Sequence, residues 1–472
     1  MGNANHNKFL SPAAAGALHA LCIHLPYGGL LSSVVWAILV YLLLQDLLLK
    51  DVLKISLVYG FCYGFLVQIW VFDSSLLVEE SITSEAVIYF FVLSLVNFIY
   101  GLISVFAVYL VIHKLSAKIW VKILSIASVL LIVEFIQRLI WLDMLPWVTV
   151  PIGYALASLT PLIQLAEYGG VWLISFLVYI FNAWLAYTYS TRDRGIFLGL
   201  VTFFILWVGS GTILMHQNTI HDLSDTVRVA LLKDNVNHQP WSDKNGDQRA
   251  GHIIAQATEI GKLTGVDLVL WSETAVPWIF QTEDDLIKYA LQSTIRLDAH
   301  HLIGTKIEEK TTSSLYNAAL LLSPDGGIVD MHRKTRPLPL LESERLGLLA
   351  DDREGQSLNS SSKISTLNLN NTRLGVGICN EWMHAEFANT LKEKGAELFV
   401  NLSNNNYFRL PVMRIQHLNS SIFRCVENRL EMVINNNLGF SGRIDRAGHY
   451  YIYDAETDSP SAINMYPVSD ED

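Results

Sequence analysis

The chain has 472 residues, 51% of them hydrophobic, and a formal charge of −11. That length allows two or three domains, and the acidic balance, with no Lys/Arg-rich run, argues against a nucleic-acid partner. The apolar residues are unevenly placed: up to about Leu214 the pattern is that of a membrane protein, and from Thr226 onward that of a mixed α/β domain.

A bilayer core takes about 20 apolar residues as a helix. Seven stretches are candidates, at about 10–25, 29–48, 55–73, 87–112, 119–138, 168–189 and 195–214. The first is short and is compatible with a tight hairpin to the second through Pro26, Gly28 and Gly29. No cleavable signal peptide is expected, because the first stretch lacks a small-x-small exit and more apolar stretches follow.

Lys and Arg in the short loops give the orientation. With the N-terminus in the cytoplasm, the inner segments hold Lys8, then Lys50 and Lys54, then Lys114, Lys118 and Lys122, then Arg192 and Arg194. The outer loops hold Asp73, Glu79, Glu80, Glu85 and Asp143, with Arg138 the only basic residue near a boundary. Seven crossings from an inner start leave the α/β domain outside the cytoplasm. Glu134 and Arg138, one helical turn apart, read either as a pair shielding its own charge or as a functional pair at the membrane edge. The broken stretch Met144–Gly153 is expected as an outer loop, with Trp147 an interfacial anchor or part of a lipid entrance.

From Val227 strands alternate with helices. Strands are expected at 227–232, 266–271, from 301, at 317–322 and 328–332 as a hairpin, and at 374–378, 397–402, 432–435 and 441–444. Helices are expected at 252–263, 383–393 and 414–431. This pattern implies a layered α/β domain. The organisation expected is a transmembrane domain over 1–215, an α/β domain over 225–460 and an acidic tail over 461–472.

The four cysteines make no disulfide framework. Cys22 and Cys62 lie in apolar stretches, where a thiol acts as a small hydrophobe, and Cys425 fits a helix core. Cys379 differs, because it follows the last apolar residue of a strand and is followed by Asn380 and Glu381. Glu273 likewise follows a buried strand, and carboxyl ends of strands are where ligands and catalytic groups collect in α/β folds. With Lys334 these residues supply a base, an oxyanion-stabilising cation and a nucleophile for acyl transfer. Each also has a plain structural explanation: a helix-cap neighbour for Glu273, a solvated loop lysine for Lys334, a core thiol for Cys379.

Together the motifs resemble the nitrilase superfamily, and across about Phe9–Gly448 the chain is similar to apolipoprotein N-acyltransferases. In the apolar part the resemblance rests on Val133-Glu-Phe-Ile-Gln-Arg138, Leu145-Pro-Trp147 and Gly169-Gly-Val-Trp-Leu-Ile-Ser-Phe176. In the α/β part it rests on Trp271-Ser-Glu-Thr-Ala-Val-Pro277, Lys334 with Pro339 and Glu342, Ile378-Cys-Asn-Glu381 and Asn401-Leu-Ser-Asn404. Gln416, His417, Glu427 and Asn435-Asn-Asn437 continue it. The resemblance implies an αββα sandwich, with Glu273 as general base, Lys334 on the oxyanion, Cys379 as acylated nucleophile and Glu342 as a second essential glutamate. It further implies substrate-side places for Trp241, Asn317, Asn380, Glu381 and Trp147.

The implied reaction moves an acyl chain from a membrane phospholipid, through a cysteine thioester, to the amine of a diacylglyceryl-cysteine on a lipoprotein. It needs no metal and no dissociable cofactor, and it belongs on the periplasmic side of a bacterial inner membrane. The sequence departs from the family at three points. Asn380 stands where a tyrosine is usual, Pro337-Leu-Pro-Leu-Leu341 replaces the usual loop before Glu342, and no apolar run follows Ile452. The first and third leave open an alternative, a membrane-tethered nitrilase-type amidase or an acyltransferase with another amine acceptor. The apolar loop reads either as a plug within the domain or as a lid that dips into the membrane interface.

Overall fold

The computed structural model describes residues 3–73, 82–218, 226–233, 246–338, 342, 358–405, 411–437, 439–453 and 462–468. It divides into two compact units, one of Met1–Gln217 with Phe408–Asn419, the other of Asn218–Tyr407 with Ser420–Asp472.

The first unit is helical. Its principal helices are α1 (Asn3–His24), α2 (Gly29–Leu43), α3 (Leu49–Val67), α4 (Ser84–Lys114), α5 (Ile119–Trp141), α6 (Ala166–Thr191) and α7 (Arg194–Gln217). Among the described residues five are long and apolar enough to cross a membrane, the spans being Leu49–Asp73, Ser84–Lys114, Ile119–Trp141, Ala166–Thr191 and Arg194–Gln217. Leu10–His24, within α1, and Gly29–Leu43 are shorter apolar stretches. Ile88, Phe91, Ile132, Ile136, Ile205 and Leu206 stand exposed along α4, α5 and α7, as lipid-facing side chains do. Helices α3 and α4 approach closely at Gly60 and Gly101, where a Cβ on Gly101 would lie 2.8 Å from the Gly60 Cα.

Between α5 and α6 the chain is irregular, and its backbone groups are taken up by side chains of the spans. Gln68 Nε2 and Asn97 Nδ2 each donate to the Val148 carbonyl at 3.1 Å. Arg138 Nη1 donates to the Pro146 carbonyl and, at 2.6 Å, to that of Thr149. Glu134 Oε1 accepts from the Ile152 N–H at 2.7 Å and from the Tyr179 hydroxyl at 2.9 Å, and Ser175 Oγ accepts from the Gly153 N–H at 3.0 Å. Non-helical backbone near hydrocarbon survives only where protein satisfies it. Glu134 and Arg138 thus do more than shield one another: they hold this loop. Trp147 lies within it, buried, its ring edge-on to Trp70 at 6.1 Å.

Among the described residues the second unit holds two sheets. The first runs β13-β1-β2-β4-β5-β6, with β3 paired to β4, and the second runs β12-β11-β10-β9-β8-β7. The strands are β1 (Val227–Leu232), β2 (Leu268–Trp271), β3 (Val276–Ile279), β4 (His300–Glu309), β5 (Ser314–Leu322), β6 (Ile328–Arg333), β7 (Leu367–Leu369), β8 (Thr372–Ile378), β9 (Leu398–Asn404), β10 (Met432–Asn437), β11 (Gly442–Ile444), β12 (Tyr450–Ile452) and β13 (Ala462–Met465). Strands β1, β2 and β4 are mutually parallel, as are β8, β9 and β10.

Alternation along the strands sorts side chains to two faces. Val229, Leu231, Leu268, Leu270 and Leu321 meet Leu374, Val376, Ile378, Val400 and Leu402 between the sheets. On the other face of the first sheet, Ala230, Leu232, Val269 and Trp271 pack on Ile253, Ala257 and Ile260 of α8 (Gly246–Ile260) and on Leu286, Ile287 and Ala290 of α9 (Asp285–Thr294). Against the outer face of the second sheet, Phe387 of α10 (Ala385–Glu393) and Trp382 approach Gly377, and α11 (Pro411–Asn428) follows β9. The domain is an αββα sandwich. Residues 462–465 were expected in an acidic tail. They form β13 instead, antiparallel to β1, where Ala462 and Ile463 pack against the two cores and Met465 is buried in the one between the sheets.

Candidate active site

The site gathers at strand ends. Strand β2 ends at Trp271 and leads through Ser272 to Glu273, while β8 ends at Ile378 and leads directly to Cys379. Both turns are strained: Thr274 has φ 58° and Cys379 φ 53°, left-handed values that cost a non-glycine residue about 1–3 kcal/mol each. Strain of this kind aims a side chain out of the strand. The first turn is close to β4, where a Cβ on Gly304 would lie 2.5 Å from the Ser272 carbonyl oxygen and 2.8 Å from the Glu273 Cα. Position 304 must be glycine for Glu273 to sit where it does.

Lys334 follows β6, its N–H donating to the Asn317 carbonyl at 2.8 Å. Its ammonium Nζ is 3.1 Å from Glu273 Oε1, 3.1 Å from Glu342 Oε1 and 2.9 Å from Glu342 Oε2. Asn317 Nδ2 donates to Glu273 Oε1 and Glu342 Oε1, both at 2.9 Å, so it bridges the same two carboxylates. Glu273 Oε2 accepts from the Asn404 N–H at 3.0 Å, and Glu342 Oε2 from the Leu338 N–H at 2.8 Å. Lys334 is 1% exposed, Glu273 5% and Cys379 8%. The reading of Lys334 as a solvated loop lysine is therefore wrong.

The charges are unequal, two carboxylates to one ammonium. Burial pushes the Glu273 carboxyl above its ordinary value; Lys334 opposes that and the charge of Glu342 adds to it. Burial works against the Lys334 ammonium, but Glu273 and Glu342 outweigh it and hold the lysine well above its usual range. Burial, reinforced by Glu273 and opposed by Lys334, raises the Cys379 thiol well above its ordinary value. The resting site therefore holds a neutral thiol beside a carboxylate with raised proton affinity and a fixed cation. That set can take a proton from sulfur, form a covalent acyl adduct and hold negative charge developing on a carbonyl oxygen.

Glu381 has a supporting place. It is fully buried, with Oε1 accepting from the Thr335 N–H at 2.7 Å and the Thr335 hydroxyl at 2.6 Å, and Oε2 from the Ile378 N–H at 2.8 Å and His332 Nε2 at 2.8 Å. Burial would raise this carboxyl, but His332 and these donors bring it below its ordinary value. Expected on the substrate side, Glu381 spends its oxygens on protein donors. Asn380, also buried, donates from Nδ2 to the Arg336 carbonyl at 2.9 Å. Trp241 lies outside the described residues, as do Pro339, Leu340 and Leu341 of the apolar loop; Leu338 is buried. Trp147 belongs to the first unit.

Sequence reasoning missed several members. Asn404 lies in the Asn401-Leu-Ser-Asn404 motif but had no role there; its N–H serves Glu273 and its Nδ2 donates to Thr274 Oγ1 at 2.6 Å. Asn435 spans the sandwich, donating from Nδ2 to the carbonyls of Leu232 at 2.8 Å and Leu270 at 2.6 Å. His332 and Thr335 flank Lys334 in sequence, and only their geometry reveals them.

A thiol, a carboxylate and an ammonium at the strand ends of an αββα sandwich define the nitrilase-like class. The carbon-nitrogen hydrolase family model matches residues 228–458, and the model of the apolipoprotein N-acyltransferase N-terminal domain matches residues 15–184. The two matches lie in sequence along the chain, which is thereby similar to apolipoprotein N-acyltransferases in both its parts. An apolipoprotein N-acyltransferase of Geobacter metallireducens is 25% identical over 321 residues, covering 64% of this chain and 60% of that protein. Apolipoprotein N-acyltransferase 1 of Treponema denticola is 25% identical over 343 residues, covering 63% of each, and number 2 of the same organism 24% identical over 372 residues, covering 72% and 70%. The chain thus spans less than two thirds of the length of the first two relatives. A solved nitrilase-superfamily protein of Saccharomyces cerevisiae is similar at 19% identity and TM-score 0.40, over 52% of this chain and 92% of that one.

Proposed function

We propose that the chain is an N-acyltransferase that moves a fatty acyl group from a membrane phospholipid to the N-terminal amine of a diacylglyceryl-cysteine lipoprotein. The observation that carries this is the buried Lys334 ammonium held by Glu273 and Glu342 beside a thiol on a strained strand end. Glu273 takes the Cys379 proton as sulfur attacks the ester carbonyl. Lys334 balances the charge on the oxyanion. Collapse breaks the ester C–O bond, and the proton on Glu273 goes to the departing lysophospholipid oxygen, leaving a thioester. The lipoprotein amine then attacks that carbonyl and gives its proton to Glu273; the thiolate leaves and is reprotonated, and the product is an amide. A thioester suits the task because it is covalent yet still reactive toward an amine. Glu342 and Asn317 keep the lysine and the base in register, and Glu381 orders the turn that carries the nucleophile.

The Lys/Arg asymmetry of the loops supports a periplasmic catalytic domain in a bacterial inner membrane. Asn380, standing where the family usually has tyrosine, favours a second reading, in which the acceptor is a different amine. The test is an incubation of the purified chain with phospholipid vesicles and a synthetic diacylglyceryl-cysteine peptide. A triacylated peptide with stoichiometric lysophospholipid supports the proposal. An acyl-enzyme that forms but never transfers to this peptide supports the other acceptor.

A further inference from the structure

The proposed chemistry leaves a buried histidine close to the nucleophile's turn, His332, without a task. His332 sits on β6, two residues before Lys334, opposite Ala319 of β5. Its Nε2 is 2.8 Å from Glu381 Oε2, with both side chains at 0% exposure. A carboxylate only accepts, so Nε2 carries the proton in this bond. Phe387 lies against the ring at 5.9 Å between centroids. Nδ1 is buried and has no hydrogen-bond partner among the described residues, so the one directed interaction of this ring points at Glu381.

We propose that His332 is a positioning residue for Cys379, acting through Glu381. The carboxylate is a clasp between two chain segments. One oxygen holds Thr335, the neighbour of Lys334, and the other holds Ile378, the neighbour of Cys379. With His332 in place, Oε2 has two donors and the carboxylate plane is set from both sides. Without it, Ile378 N–H alone holds that oxygen, and the strained Cys379 turn loses its fixed distance to the lysine. Orientation at this level is what bound groups contribute to rate.

This inference rests on Cys379 being the acylated residue, and its test separates the two claims. Single-turnover acylation of Cys379 is followed by intact mass on the full chain in phospholipid nanodiscs, together with donor KM and thermal midpoint. His332→Leu is expected to slow acylation about 10- to 100-fold, the rate equivalent of one charge-assisted hydrogen bond, with donor KM within about twofold. His332→Gln, whose amide donates from a similar place, is expected to recover most of that loss. Thr335→Val, which removes one hydroxyl from the same carboxylate, is expected to fall between them and serves if His332→Leu does not fold. A wild-type acylation rate in folded His332→Leu or Thr335→Val, with only the thermal midpoint changed, overturns the proposal. So does an equal loss in His332→Leu and His332→Gln. Absence of any acyl adduct on the unaltered chain overturns instead the nucleophile assignment, and the positioning role with it.

Discussion

Lys334 Nζ lies 3.1 Å from Glu273 Oε1, and both groups are buried. A carboxylate stabilised by a neighbouring ammonium holds a proton less readily than a free one, yet burial and Glu342 work in the opposite direction on Glu273. The second carboxylate therefore keeps the first and the cation compatible in one site as the proposed mechanism requires. In the proposed mechanism Glu342 neutralises the lysine, which leaves Glu273 available for the proton of sulfur.

Replacing Lys334 with methionine separates the chemistry from the fold. Loss of one oxyanion donor typically costs about 10² to 10³ in rate. Removing one partner from a buried ion pair also costs about 3–5 kcal/mol in stability, here because Glu273 and Glu342 are left facing one another. Lys334→Met is thus expected to lower both acylation rate and thermal midpoint. Adding Glu342→Gln to it should recover stability and leave the rate low. Recovery of rate in that double variant would remove Lys334 from the chemical step.

Gly304 gives a test that touches no reacting group. A methyl at this position would lie 2.5 Å from the Ser272 carbonyl and 2.8 Å from the Glu273 Cα, so the Glu273 turn has to move. Displacements of about 1 Å in a catalytic group cost on the order of 10²-fold. Gly304→Ala is expected to reduce single-turnover acylation by that order, and unchanged acylation kinetics would show that the position of Glu273 is not critical.

The acid limb of the activity profile follows from the direction of the Glu273 shift. A raised carboxyl pKa means that the ionised base is lost as pH falls through a value above the ordinary carboxylate pKa of about 4.3. The acylation rate should therefore fall at a higher pH than for a solvent-exposed glutamate. Glu342→Gln removes one cause of the rise and should move this limb to lower pH. Movement to higher pH would contradict the electrostatic account.

In the first unit, Glu134 holds the backbone of Ile152 and the hydroxyl of Tyr179. Glu134→Gln keeps an acceptor oxygen there and Glu134→Leu does not. An unpaired buried donor costs about 1–3 kcal/mol. The leucine variant should therefore unfold at a distinctly lower temperature in detergent, with the glutamine variant close to the parent. Equal midpoints for the two variants would mean that the loop is not held at Glu134.

Much of this was legible in the sequence because it rests on local patterns. The strands expected at 266–271 and 374–378 are found at Leu268–Trp271 and Thr372–Ile378, and Glu273 and Cys379 were visible as the polar residues that follow them, because a short apolar run ending abruptly in a polar residue needs no tertiary knowledge. Helix α9 was missed although its signals were present: Asp284 caps it at Ile287 N–H, and Leu286, Ile287, Ala290 and Leu291 make its buried face. Strand β13 was not legible, since Ala462–Met465 is short and becomes a strand only by pairing with the edge of β1. The clasp through Glu381 was hidden for a related reason. His332, Thr335 and Ile378 meet only when β6 and β8, in different sheets, come together.

The central claim is that Cys379 carries the acyl group. Its most direct test is intact-protein mass spectrometry of the full chain after incubation with vesicles of a single defined phospholipid, alongside Cys379→Ala. The account predicts a mass increase of one acyl group on the parent chain, labile to neutral hydroxylamine as a thioester is and mapping to the peptide that contains Cys379. It predicts none on the alanine variant. An adduct that persists in Cys379→Ala, or one that resists hydroxylamine, would contradict it.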